Sequence, residues 1–302
     1  MDSLTASTVE WIAMTWFVLA FLTALAAASQ DAWVKKWFSG LRAHEMFLVP
    51  LVYGLPLTAF SLLFIPVPAL DWVFYAGFAA SLPLNAVPFI LYMKAIRESP
   101  LSLTLPYLAF TPVFMIGTGY LFLNELPDKW GIMGIVAVCA GSYVLNMDLK
   151  RWSLLGPFRA AFQETGSRIM MIVAFLFSFS SVIGKLAIVH SSVMFFQMSF
   201  FAVLGLVLVG TYRVFGKIRV AAFVNHPVKG AVAGALLYCH ILCHGFAIAM
   251  TKAAYMISVK RLSIVFGVIY GGLFFAEENI FVRLIGTLLM FAGAVLILVR
   301  GS

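Results

Sequence analysis

The stretch "AAYMISVKRLSIVFGVIYGGLFFA", residues 253–276, is one apolar segment long enough to cross a bilayer, yet Lys260 and Arg261 stand side by side within it. Seven residues precede the pair and fifteen follow it. At a helical rise of about 1.5 Å per residue, the pair lies roughly 10 Å below the nearer membrane surface. A cation at that depth costs about 2.5–3.5 kcal/mol on insertion scales, so two of them require a compensating role.

The rest of the chain gives that stretch its setting. Of 302 residues, 63% are hydrophobic and only 11% are charged. Soluble domains carry about 25% charged residues, so composition alone points to a membrane protein. The net charge of +8 does not point to nucleic acid, because the basic residues sit in short loops between apolar runs and form no clustered face. Cys139, Cys239 and Cys243 all fall within apolar runs, which indicates no disulfide framework. The opening "MDSLTASTVE" is acidic and lacks the cationic start of a cleavable signal peptide.

Apolar runs of spanning length recur near 13–34, 46–65, 71–93, 101–123, 130–147, 169–189, 193–214, 228–250, 253–276 and 279–299. Backbone groups in hydrocarbon must be satisfied within the segment, so these runs are expected to be helices. The segment 148–168 divides them five and five, giving a first repeat over 1–147, a linker, and a second repeat over 169–302. The halves match at a constant offset of 152: Gly119, Glu125, Gly134 and Gly141 fall on Gly271, Glu277, Gly286 and Gly293. Each half holds an odd number of spans, so the second enters the membrane inverted. The expected fold is all-α and integral to the membrane, with ten transmembrane helices in two inverted five-helix repeats and a site between them near the midplane. Fourteen of the twenty basic residues follow odd-numbered spans, four lie on the other side, and two are the intramembrane pair. By the positive-inside rule both termini face away from the cytoplasm.

With these features the chain resembles the drug/metabolite transporter superfamily, in particular its ten-span EamA-type members. The resemblance is carried by "TPVFMIGTGYLFLNE" (111–125) and "IVFGVIYGGLFFAEE" (264–278), each followed by a glycine-rich span. Relatives of this kind export amino acids, move nucleotide sugars or exchange phosphorylated sugars. More narrowly, "VKRLSIV" (259–265) is similar to the ninth span of plastid sugar-phosphate/phosphate translocators, where a Lys-Arg pair grips the substrate phosphate. That resemblance implies anion binding by Lys260 and Arg261. Those translocators add a lysine from span four, where this chain has Leu108, the repeat-mate of Lys260. The departure weakens the case for a phosphate dianion and leaves a carboxylate equally open.

The residues themselves support several further readings. Arg offers a bidentate fork for carboxylate or phosphate and Lys a mobile point charge, whereas the bland reading of both is snorkelling or an internal ion pair. No acid sits at matching depth in spans two to eight. In "LYCHILCHGF" (237–246), His240 and His244 share a helix face, as do Cys239 and Cys243. One helix does not wrap a tetrahedral metal site, so no metal or cofactor is expected, and the histidines are read as substrate or proton contacts or as interhelical hydrogen-bonding groups. Asp31 in "ASQDAWVKKW" reads either as an i,i+4 partner of Lys35 or as a proton-coupling carboxylate. Asn85, Gln197 and Lys185 are polar enough to border a cavity. Tyr107, between Pro106 and Pro112, stands on a segment expected to kink there. Glu125 and Glu277 are expected at the turns into the next helix, where they cap or pair. The GxxxG glycines Gly230/Gly234 and Gly267/Gly271 are expected to allow close packing.

Together these features predict a secondary transporter moving a small, anionic metabolite that bears a carboxylate or phosphate, with a bacterial inner membrane as its bilayer. No GxxxxGK[ST] phosphate loop occurs, so the driving force is a gradient or exchange. A flippase for a lipid-linked phosphate or glycan is the alternative among membrane functions. An integral membrane enzyme would need clustered carboxylates or an HExxH-like pair, and neither occurs.

Overall fold

The structure, a computed structural model, describes residues 2–99, 104–145, 164–215, 223, 225–275 and 280–301. Its regular elements are all helical, and no strand occurs among the described residues. Spans one to three are single helices, Asp2–Phe38, Ala43–Leu62 and Trp72–Glu98, and span five is Lys129–Leu145. Spans six to eight are Thr165–Val189, Val193–Val214 and Pro227–Met250, and span ten is Ile280–Arg300. Spans four and nine are composite. The first is a 3₁₀ helix, Leu105–Phe110, running into an α-helix, Thr111–Leu123, and the second is two α-helices, Ala253–Lys260 and Ser263–Phe275. Eight spans are long and apolar enough to cross a membrane, and Lys129–Leu145 and Ile285–Arg300 are shorter apolar helices. The ten-span, all-α reading therefore holds.

Boundaries shift where local chemistry extends a helix beyond its apolar run. Lys35 and Lys36 belong to the last turn of helix one, where cations complement the helix dipole, and not to a loop. Span six begins at Thr165, inside the segment expected as linker, because the Glu164 side chain accepts the Ser167 amide and hydroxyl and so caps the first turn. The remaining linker residues, 146–163, lie outside the described residues.

Packing follows the inversion. Span one lies against span eight as span six lies against span three. Span four contacts span six as the second half of span nine contacts span one, and spans five and ten pack on each other. Each relation turns into its partner when the halves are exchanged. The glycines show the same exchange at atomic distance. A Cβ on Gly134 would lie 2.7 Å from the Gly293 carbonyl oxygen, and one on Gly141 would lie 2.6 Å from that of Gly286. Since Gly286 and Gly293 are the repeat-mates of Gly134 and Gly141, the two helices cross about a pseudo-two-fold axis that only glycine allows to close. Gly234 serves spans two and eight likewise, its Cβ position lying 2.6 Å from the Gly54 nitrogen.

Candidate substrate-binding site

The composite spans meet where the cations sit. The α-helical parts of spans four and nine begin at Thr111 and Ser263 and end at Leu123 and Phe275, so both bounds are related by the offset of 152. Span nine tightens at Arg261 and Leu262. The Leu262 amide donates to Val259 O, Ile264 to Arg261 O and Val265 to Leu262 O, all at 3.0 Å and all three residues back. Stretches of 3₁₀ geometry inside a helix commonly mark hinges or functional breaks. Here both fall at the same repeat position and are tied together, because Arg261 Nη2 donates to Thr111 Oγ1 at 2.8 Å. The uninterrupted span nine expected from the sequence is thus corrected. A uniformly apolar run carries no signal that distinguishes i→i−3 from i→i−4 bonding.

Around this junction spans one to four and six to nine enclose a cavity of about 120 Å³. Lys260, Arg261, His240, His244, Asn85, Gln197, Lys185 and Asp31 all line it. Arg261 is only 5% exposed, and its Nε is buried with no hydrogen-bond partner among the described residues. Gln30 Oε1 and His240 Nδ1, also on the cavity, are in the same condition among the described residues. Unpaired buried polar atoms are costly, and the three residues that carry these atoms line one cavity. Lys260 Nζ lies 3.4 Å from His244 Nδ1. An ammonium only donates, so that ring nitrogen is the acceptor. The far wall is aromatic: Phe47 stacks on Phe89 at 4.8 Å, Phe177 meets Phe89 edge-on at 5.0 Å, and Phe196 stacks on Phe200 at 5.3 Å.

Other expected residues occupy different positions. Asp31 takes a hydrogen bond from the Tyr92 hydroxyl and faces the cavity, while Lys35 Nζ donates to the Ser99 carbonyl at 2.9 Å. The sequence sees Lys35 four residues away and does not see Tyr92, which lies 61 residues on. A carboxylate therefore does reach the depth of the cation pair, from span one. Tyr107 is 4% exposed and is not among the cavity-lining residues. The 3₁₀ winding of 105–110 sets which residue faces inward, and it presents Leu108. Asn85 spends its amide nitrogen on the Ser81 carbonyl at 2.8 Å. Gly245 on span eight leaves room for Gln197, whose Cγ lies 2.6 Å from where a Cβ would stand.

Lys185 lines the cavity at its edge and is held there. Its Nζ pairs with Glu125 and donates to Thr251 O at 2.6 Å, while Glu125 Oε2 accepts the Ala253 amide at 2.8 Å. Glu125 is aimed inward by Asn124, a left-handed cap at φ 53° that ends span four and lets the Glu125 amide donate to Gly119 O at 3.1 Å. The acid thus ties three elements on the face that bears the termini. Its repeat-mate Glu277 lies outside the described residues. The opposite face carries a matching bond, because Ser99, whose carbonyl accepts from Lys35, is the repeat-mate of Thr251. Gln30, Tyr92 and Thr111 were missed by sequence reasoning, since each is an ordinary polar residue in an apolar run and gains meaning only from its distant partner. His240 and His244 stand 6.1 Å apart between ring centres, and no group of three His, Cys, Asp or Glu suited to a metal occurs among the described residues.

Ten spans in exchanged halves around a central polar cavity are the architecture of a polytopic membrane carrier. Residues 14–147 match the model of the EamA-like transporter family. Twenty-nine solved chains match the fold. One of them, described only as "Crystal structure of protein", is 12% identical with a TM-score of 0.64, over 96% of each chain. At that identity the likeness concerns the fold alone. No curated protein matches the chain.

Proposed function

We propose that this protein is a membrane transporter of the drug/metabolite type that carries a small anionic metabolite by alternating access, with Lys260 and Arg261 as the ligands of its charged group. The observation that carries this reading is that Lys260 and Arg261 line one cavity, with Arg261 Nε unpartnered among the described residues. Breaks in both repeat-related spans at that point supply the hinges such a cycle requires, and His240, His244 and Gln197 complete the polar lining. Asp31, the one carboxylate among the described lining residues, is the candidate for a coupling proton. The cavity volume of about 120 Å³ suits a small molecule and argues against a lipid-linked glycan; an engineered void of roughly 150 Å³ takes benzene. The bundle of α-helices suits a bacterial inner membrane, and the distribution of basic residues supports an orientation with both termini away from the cytoplasm.

The test is a thermal-shift series on purified protein with small acids and their uncharged analogues. A ligand at a hundred times its Kd stabilises by about 2.7 kcal/mol. Acids should raise the midpoint of the wild type and not of Arg261→Ala. Equal shifts from acids and neutral analogues would refute anion binding.

A further inference from the structure

We propose that the pair Glu125–Lys185 is a latch closing the central cavity on the face of the termini, so that Lys185 gates the cavity and does not bind the substrate. This rests on the alternating-access reading above and is independent of the ligand's charge.

The position of Lys185 carries the argument. It lines the central cavity with Ser181 and Gly184, and it also lines an open hollow bounded by Tyr120, Asn124, Glu125 and Val189. Tyr120 is 53% exposed and Val189 66%, so the hollow opens to the outside of the protein. Lys185 is the one residue that the two spaces share among the described residues. The lysine and its partners therefore stand between the cavity and the exterior.

The partner that fixes it comes from the other half of the chain. Glu125 follows span four of the first repeat, whereas Lys185, Thr251 and Ala253 belong to the second. Lys185 Nζ donates to Glu125 Oε1 and, at 2.6 Å, to Thr251 O, and Glu125 Oε2 accepts the Ala253 amide at 2.8 Å. Both carboxylate oxygens thus bind across the boundary between the repeats. Span six and the turn into span nine cannot leave span four without breaking these bonds. Glu125 does not simply follow them, because the left-handed Asn124 and the bond from its own amide to Gly119 O hold its backbone to span four.

The setting also makes the latch reversible. An ion pair at the rim of an open hollow is rehydrated as it parts, so it is a modest restraint, whereas parting a fully buried pair strands uncompensated charges. The opposite face has a fastening of its own: Lys35 Nζ donates to Ser99 O at 2.9 Å, and Ser99 Oγ donates to Glu164 Oε1 at 2.7 Å. Loss of the Glu125 charge should therefore free one face and leave the other closed.

The experiment reads access to the cavity with Ser181→Cys as the single cysteine of the full chain. An impermeant maleimide is added to intact cells and to inverted membrane vesicles, and Val67→Cys identifies which preparation exposes the face of the termini. With Glu125 in place, labelling of Ser181→Cys from that face should be slow. Glu125→Gln keeps an acceptor for the Ala253 amide and removes the charge, so it should speed labelling from that face roughly tenfold and not from the opposite face. Glu125→Ala should speed it further. Unchanged labelling in both variants, or an equal rise from both faces, overturns the latch. Rapid labelling from the face of the termini with Glu125 in place also overturns it, and rapid labelling from both faces overturns alternating access as well. If Glu125→Ala does not reach the membrane, Glu125→Gln decides alone.

Discussion

Arg261 Nη2 donates to Thr111 Oγ1 at 2.8 Å across 150 residues of sequence, joining the break in span nine to the break in span four. The bond anchors one end of the guanidinium, while its Nε stays buried with no partner among the described residues. Replacing Thr111 by Val keeps the shape and strips a buried charged donor of its partner, at a cost of about 1–3 kcal/mol. Thr111→Val should therefore melt several degrees lower and bind the substrate more weakly, whereas Thr111→Ser should stay near the wild type. Identical melting of the Val variant and the wild type would remove the bond from the stability of the junction.

The glycine crossing of spans five and ten makes a sharp contrast with an open glycine. A methyl on Gly141 meets the Gly286 carbonyl oxygen at 2.6 Å, and a backbone oxygen cannot rotate away. Gly141→Ala should destabilise by about 1–3 kcal/mol as the helices part. Gly210 in span seven has nothing within 4 Å of its Cβ position. Gly210→Ala should be neutral or stabilising by up to about 1 kcal/mol, from helix propensity alone. Thermal unfolding of the two variants in one detergent compares them directly, and equal losses would contradict the crossing.

Much of the fold is legible in the sequence for physical reasons. Hydrocarbon forces helices, so hydropathy yields the spans, and glycines and a glutamate in phase reveal the repeat. The cation pair is legible because burying it is expensive. Three features are not legible. The 3₁₀ turns at 105–110 and 261–262 leave no mark in a segment that is apolar on every face, which is also why Tyr107 looked like a lining residue. Asp31 has a plausible local partner in Lys35, and only the folded bundle brings the Tyr92 hydroxyl to it and sets Lys260 on the same cavity. Lys185 looks free until the left-handed Asn124 turns Glu125 toward it.

Asp71, in the loop before span three, supplies a pH dependence outside the membrane. The Phe74 amide at 2.9 Å and the His190 ring at 2.6 Å hold its carboxyl below the usual carboxylate range. A depressed folded-state value means stability that is present above the unfolded value and lost as pH falls through the folded one. The wild type should therefore melt above Asp71→Ala near neutral pH, and the gap should close in acid below about pH 4. A gap that persists in strong acid would show that the carboxylate is not its source.

Orientation is open to labelling. With the native cysteines replaced by serine, Val67→Cys lies in an exposed loop on the face of the termini and Gly40→Cys in the first loop of the opposite face. An impermeant maleimide added to intact cells should label the first and spare the second. The reverse pattern would put both termini in the cytoplasm.

The most direct measurement is uptake into proteoliposomes by the variant carrying Lys260→Ala together with Arg261→Ala, using an acid that stabilises the wild type. Removing intramembrane charge relieves a burial cost, so the variant should insert and fold. A charge-assisted hydrogen bond is worth about 1.5–3 kcal/mol, so each single alanine should weaken binding by about 10- to 100-fold. Arg261→Lys should recover part of the loss, because it keeps the charge without the fork. The double variant should show no uptake above empty liposomes at substrate concentrations that saturate the wild type. Uptake at the wild-type rate by a folded variant lacking both cations would contradict anion binding at this site.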